Sequence, residues 1–155
     1  MADNVTEIRG LDALIAKMKY FPQKFKQLQG LGMKASLNIL WENVPPYPPQ
    51  PADSTYQRTG TLGRTLGSSE SGGKSGGRPS IFTVKGLGTS NVEGRFGTNL
   101  DYAEHVIGDQ QARQNAHWWK LSSVLQKSEA KIKGVWEGIM KQMAKFLDSR
   151  SSGAK

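Results

Sequence analysis

Two groups of residues in this chain have types and spacings that invite a chemical reading. The stretch GSSESGGKSGG, residues 67 to 77, runs two glycines directly into Lys74 and Ser75. That resembles a loop whose backbone N–H groups curl around phosphates. Such a loop needs a first glycine, four residues, and then Gly-Lys-Ser. The first position here is Ser68, and Gly67 lies one residue too far back. The flanks RTGTLGRTL and GGRPSIFTVKG read as loop or strand, where a phosphate loop needs a buried strand before it and an amphipathic helix after it. The stretch therefore reads as a flexible Gly/Ser tip.

The second group is His105 and His117 with the acids around Tyr102. The two histidines are the only ones in the chain, and a metal site would have to be completed by scattered acids. Asp101 and Glu104 flank Tyr102 in the manner of an acid–base pair, but that chemistry needs shifted pKa values in a pocket. As polar residues on a short or edge strand they would instead discourage unwanted strand pairing. There is no cysteine, which removes disulfides, thiolate metal sites and cysteine nucleophiles together. The residues thus give no catalytic, cofactor-binding or metal-binding set, and the expectation is a protein that is not an enzyme and needs no cofactor.

Positioning falls to elements that hydropathy marks out. With 155 residues the chain fits one domain with a modest core. The expected domain covers 1–155, with a flexible N-terminus at 1–10, an extended arm at 45–79 and a flexible tail at 149–155. GLDALIAKMKYF sets Leu11, Leu14, Ile15 and Met18 on one helical face. Pro22 suits a first helical turn, so a second helix is expected through QKFKQLQGLGMKASLNILWENV. Its apolar face is Phe25, Leu28, Met33, Leu37, Leu40 and Val44, with Trp41 beside it. Gly30 and Gly32 mark a bend or a close contact. VPPYPPQP, with five prolines in eight residues, ends that helix in an extended path.

Residues 45 to 79 are too long for an ordinary connector. TYQRTGTLGRTL within them, with Thr59, Thr61 and Leu62 alternating, reads as strand-forming and so as a partly ordered arm. IFTVKG, VEGRFGT and LDYAEHVI read as three strands of an antiparallel meander. The final helix sets Trp118, Leu121, Leu125, Ile132, Val135, Trp136, Ile139, Met143, Phe146 and Leu147 at three- and four-residue steps. That face is expected to pack on the sheet. Lysines 120, 127, 131, 133, 141 and 145 fall mostly off it. Gly134 and Gly138, four apart, would permit close approach of another element. Trp119 lies off the apolar stripe and is free to serve an interface.

The net charge of +8 is unevenly spread. The excess is +2 over residues 1–44 (6 basic, 4 acidic), 0 over 45–112 (6 and 6) and +6 over 113–155 (9 and 3). A basic helix meets either nucleic acid phosphates or an acidic protein surface, and charge alone does not choose. The N-terminus lacks a signal-peptide pattern and no apolar run approaches the roughly 20 residues that span a bilayer. A soluble protein with no membrane contact is expected.

GLDALIAKMK, YQRTGTLGRTL, YAEHVIG and QARQNAHWWK, in that order before a long basic helix, resemble the head-tail joining family of tailed bacteriophages, also called neck or tail-completion proteins. The pairing of Arg58-Thr59-Gly60 and Leu62 with Tyr102-Ala103, Val106 and Gly108 carries most of the resemblance. The segment from Tyr56 to Arg64, Gln111-Ala112 and His117 to Trp119 are also similar to minor tail proteins. The resemblance spans about Leu11 to Phe146. It implies an α+β fold, and the elements read above make that a small antiparallel β-sheet packed against a long N-terminal helical segment and a long C-terminal helix, with an extended loop arm. It further implies a non-catalytic virion protein, assembled in the bacterial host cytoplasm as a homo-oligomeric ring between the connector or stopper and the tail tube or tail terminator, where contact with phage DNA is possible. Tyr56, Arg58, Thr59, Leu62, Arg64, Tyr102 and Trp119 are the expected interface residues. The arm would add to a neighbour's sheet edge, with Arg58 and Arg64 pairing to acids of an adjacent subunit. The alternative reading is a small basic nucleic-acid-binding protein that uses the C-terminal helix.

Overall fold

The computed structural model describes residues 21–55, 59–67, 79–112 and 117–151. The first expected helix, the Gly/Ser tip beyond Gly67, Tyr56, Arg58 and the end of the C-terminal tail lie outside the described residues. The described chain is α+β: helix α1 (Pro22–Glu42), helix α2 (Thr61–Leu66), strands β1 (Ile81–Lys85) and β2 (Glu93–Gly97), helix α3 (Ala103–Ile107) and helix α4 (Leu121–Ser151).

Helix α1 starts where proline permits: Pro22 occupies its first turn, where a missing N–H leaves no bond unmade. Phe25, Leu28 and Leu37 are buried along it. At its end Asn43 donates its backbone N–H to Ile39 O and Leu40 O, and its side-chain amide to Ile39 O. Pro45 then bars continuation, and residues through Gln50 carry no helix or strand.

Helix α4 runs antiparallel to α1. Phe25, Leu28, Ile139 and Met143 form their shared core, with Val135, Trp136 and Met140 packed against it. The two helices also exchange polar contacts: Trp136 Nε1 donates to Ser36 Oγ at 3.1 Å, and Asn43 Nδ2 donates to Ser128 Oγ at 3.0 Å. Gly32 lies at the crossing, where an added Cβ would come within 3.3 Å of the Trp136 ring and of Ile139 Cγ1. Of the two meanings read for Gly30 and Gly32, Gly32 has the close contact.

The sheet is a two-stranded antiparallel ribbon in which Phe82 pairs with Phe96 and Val84 with Gly94. It rests on α1, with Met33 and Leu37 beneath Gly94. The buried side chain of Gln29 holds the hairpin turn by accepting Gly88 N–H at 2.7 Å and donating to Thr89 O at 2.9 Å.

Four sequence expectations need correction. The last helix packs on α1 rather than on the sheet, because two strands about 5 Å apart offer a narrow face and α1 fills it. Its buried line includes Val124 and Ser128, while Leu125 is 50% exposed and Trp118 lies ahead of the helix. LDYAEHVI forms no third strand; its centre is helix α3, which turns Ala103 and Ile107 inward four residues apart. The strand expected around Thr59 to Leu62 is replaced by the start of α2. Gly60, at φ 69° in the left-handed region, turns the chain into that helix, and Gly67, at φ 71°, ends it.

Candidate assembly surface

The short segments between the helix pair and the hairpin converge on a second core. Tyr47, Leu62, Leu66, Ala103, Ile107 and Trp118 form one buried cluster, with Leu100, Val106 and Trp119 packed against it. Each contributor arrives by a different local device. Tyr47 is the one large side chain inside the proline run, and its ring meets Trp118 edge-on at 4.8 Å. Leu62 and Leu66 are one turn apart on α2, and Ala103 and Ile107 one turn apart on α3.

Hydrogen bonds lock these pieces together. Thr65 O accepts both the backbone N–H and the hydroxyl of Ser80, at 2.7 and 3.0 Å, which ties α2 to the start of β1. Thr98 Oγ1 donates to Thr65 Oγ1 at 2.9 Å and ties it to the chain after β2. The Gln111 amide donates to Val106 O at 2.6 Å and Trp118 O at 3.1 Å, bridging the end of α3 to the tryptophan pair. Ser122 donates to Asp109 Oδ1 at 2.8 Å and joins that loop to the first turn of α4.

Of the residues read from sequence as an interface, the structure gathers Leu62, Tyr102 and Trp119 around this cluster but gives them different duties. Leu62 is 3% exposed and is part of the internal packing, so it presents no side chain to a partner. Tyr102 precedes α3 with 46% of its surface exposed. Trp119 is half-buried, and its indole N–H, shielded from solvent, has no acceptor among the described residues. Thr59 is exposed and its hydroxyl shares a hydrogen bond with that of Thr61 at 2.9 Å. Arg64 is exposed and reaches back to Thr61 Oγ1 at 3.3 Å. The arm is thus only partly an arm: Tyr47, Leu62, Leu66 and Pro79 within 45–79 are buried.

Sequence reading missed Tyr47, Leu66 and Gln111 as organisers of this region. The four-residue spacing of Leu62 and Leu66 was a visible helical signal, whereas nothing in the sequence marked Gln111 as a bridge.

His105, His117, Asp101 and Glu104 are all exposed, and no group of three or more metal-ligating side chains lies together among the described residues. The carboxyl of Glu93 is held below the usual carboxylate range by its hydrogen bond to Arg95 at 2.6 Å, on the open face of the hairpin. A shallow apolar cleft between the start of α1 and the end of α4 is lined by Phe21, Phe25, Leu28, Met143 and Phe146. No described helix is long and apolar enough to cross a membrane. No family model matches the chain, and neither a curated protein nor a solved structure is significantly similar to it.

Proposed function

We propose that this chain is a structural virion protein of a tailed bacteriophage, a subunit of an oligomeric ring that joins head to tail or completes the tail. One observation carries the reading. The separate stretches that prompted the family resemblance, around Leu62, around Ala103 to Ile107 and around Trp118, are packed into a single unit.

That unit is suited to assembly. It offers the exposed ring of Tyr102 and the polar edge of Thr59 and Arg64. Aromatic and arginine side chains of this kind are the usual anchors of protein interfaces. The hairpin adds a second contact mode. With only two strands in the sheet, each has an outer edge unpaired among the described residues, and an edge can take a strand from a neighbour. A surface of this sort repeated around a rotation axis closes into a ring.

The test is immunolabelling of purified tailed particles from the culture that encodes the chain. Label at the head-tail junction or along the tail is expected; particles that carry no label would overturn the reading.

A further inference from the structure

Helix α4 carries a line of residues that neither its packing nor the assembly surface uses. Lys127, Lys131, Gly134, Gly138, Lys141 and Lys145 follow one another at steps of four, three, four, three and four residues, which places them along one stripe of an α-helix. The core face, represented by Ser128, Ile139 and Met143, is turned away from this stripe by about a third of a revolution, at about 100° per residue. All four lysines are exposed. None has a hydrogen bond or ion pair among the described residues. Of the helix's three acids, Glu129 and Glu137 fall outside the stripe, and Asp148 continues it at its C-terminal end, one turn beyond Lys145. At Gly134 and Gly138 an added Cβ would meet nothing within 4 Å. The close approach that their spacing suggests is therefore not made within the described chain.

We propose that this stripe is a docking surface for the phosphate backbone of duplex DNA, bound without sequence preference. The pattern is two lysine pairs with a bare gap between them. From Lys131 to Lys141 the helix rises about 15 Å, comparable to the roughly 12 Å width of a major groove with its bordering phosphates. A helix laid across the groove sets one lysine pair on each phosphate strand, and the glycines leave no side chain to collide with the groove edge between them. An acidic protein is a poorer match. Protein interfaces are depleted in lysine and anchored by aromatic or arginine side chains, and this stripe contains neither anchor. The proposal is independent of any place in a virion, and particle labelling and DNA binding are separate readouts.

The experiment is fluorescence anisotropy of the full chain with a labelled 24-base-pair duplex from 25 to 200 mM NaCl, repeated with a second unrelated sequence. Four phosphate contacts give a slope of log K against log salt of about −3.6. Both duplexes are expected to bind alike, and K131Q/K141Q is expected to reduce the slope by about 2. Gly138→Leu, which fills the gap without changing charge, is expected to weaken binding severalfold. Lys133→Gln, on the other flank of the helix, is expected to retain the slope to within about one contact. Absence of binding at 25 mM NaCl would overturn the proposal. So would a loss in Lys133→Gln equal to that in K131Q/K141Q, or competition by polyglutamate as strong as by unlabelled DNA at equal charge.

Discussion

Trp136 donates its indole N–H to the hydroxyl of Ser36 at 3.1 Å, across 100 positions of sequence. The same hydroxyl donates to Gly32 O one turn earlier at 2.8 Å, so one small side chain serves both its own helix and the crossing. Ser36 is 5% exposed, so water cannot readily replace it. Ser36→Ala leaves the Trp136 N–H without its acceptor and is expected to cost about 1 to 3 kcal/mol. Trp136→Phe removes the donor as well, so in a urea-denaturation double-mutant cycle the two losses should sum to more than the double variant shows.

Gln29 is the corresponding clamp between α1 and the hairpin. Gln29→Leu keeps a side chain of similar size but removes the amide and leaves Gly88 N–H and Thr89 O without their partner. A loss of about 1 to 2 kcal/mol is expected. Hydrogen exchange should quicken at Gly88 while amides in the middle of α4 keep their relative protection. Equal quickening in both places would mean that the hairpin and the helix pair open as one unit.

The region around α2 separates packing from display. Leu66 is fully buried, and Leu66→Ala is expected to cost about 2 to 5 kcal/mol through the cavity it opens. Arg64, two residues earlier and exposed, should tolerate Arg64→Ala within about 0.5 kcal/mol. Thermal denaturation of the two variants checks both. If Arg64→Ala also leaves particle incorporation intact, Arg64 has no part in assembly.

Glu93 carries a directional pH dependence. Its hydrogen bond from Arg95, supported by the charges of Arg95 and Lys85, lowers its pKa in the folded chain. A lowered carboxyl pKa contributes stability above the unfolded value and loses it as pH falls through the folded value. Because both side chains are more than half exposed, salt should screen the effect. Glu93→Gln is expected to lower the neutral-pH midpoint slightly at low salt and to flatten the acid limb of a stability–pH profile, variant and parent converging at low pH.

Periodicity made the two long helices legible. Phe25, Leu28 and Leu37 on one, and Ile139 and Met143 on the other, recur at helical spacing and are buried. Proline marked where α1 begins and where it must end. At the start of α4 the same reading chose Leu125 over Val124. Both fit a three- and four-residue rhythm, and only the position of the partner helix, with Asn43 meeting Ser128, selects the inward one. Leu62 and Leu66 stand one helical turn apart in TLGRTL, but six residues are too few for that spacing to outweigh the alternation of Thr59, Thr61 and Leu62 that reads as strand.

The sequence by itself determined properties that follow from composition and from long repeating patterns: the absence of thiol chemistry, the concentration of positive charge near the C-terminus, and two amphipathic helices long enough for their faces to be read. Tertiary structure alone decided the conformation of the short segments. Helices of five or six residues such as α2 and α3 do not recover the cost of their first turn from their own hydrogen bonds. They exist because Leu62, Leu66, Ala103 and Ile107 find one another and Trp118 in a shared core. It also decided that α4 packs against α1 rather than on the sheet. An apolar face specifies that it must be covered, and which element covers it depends on what else has already been buried.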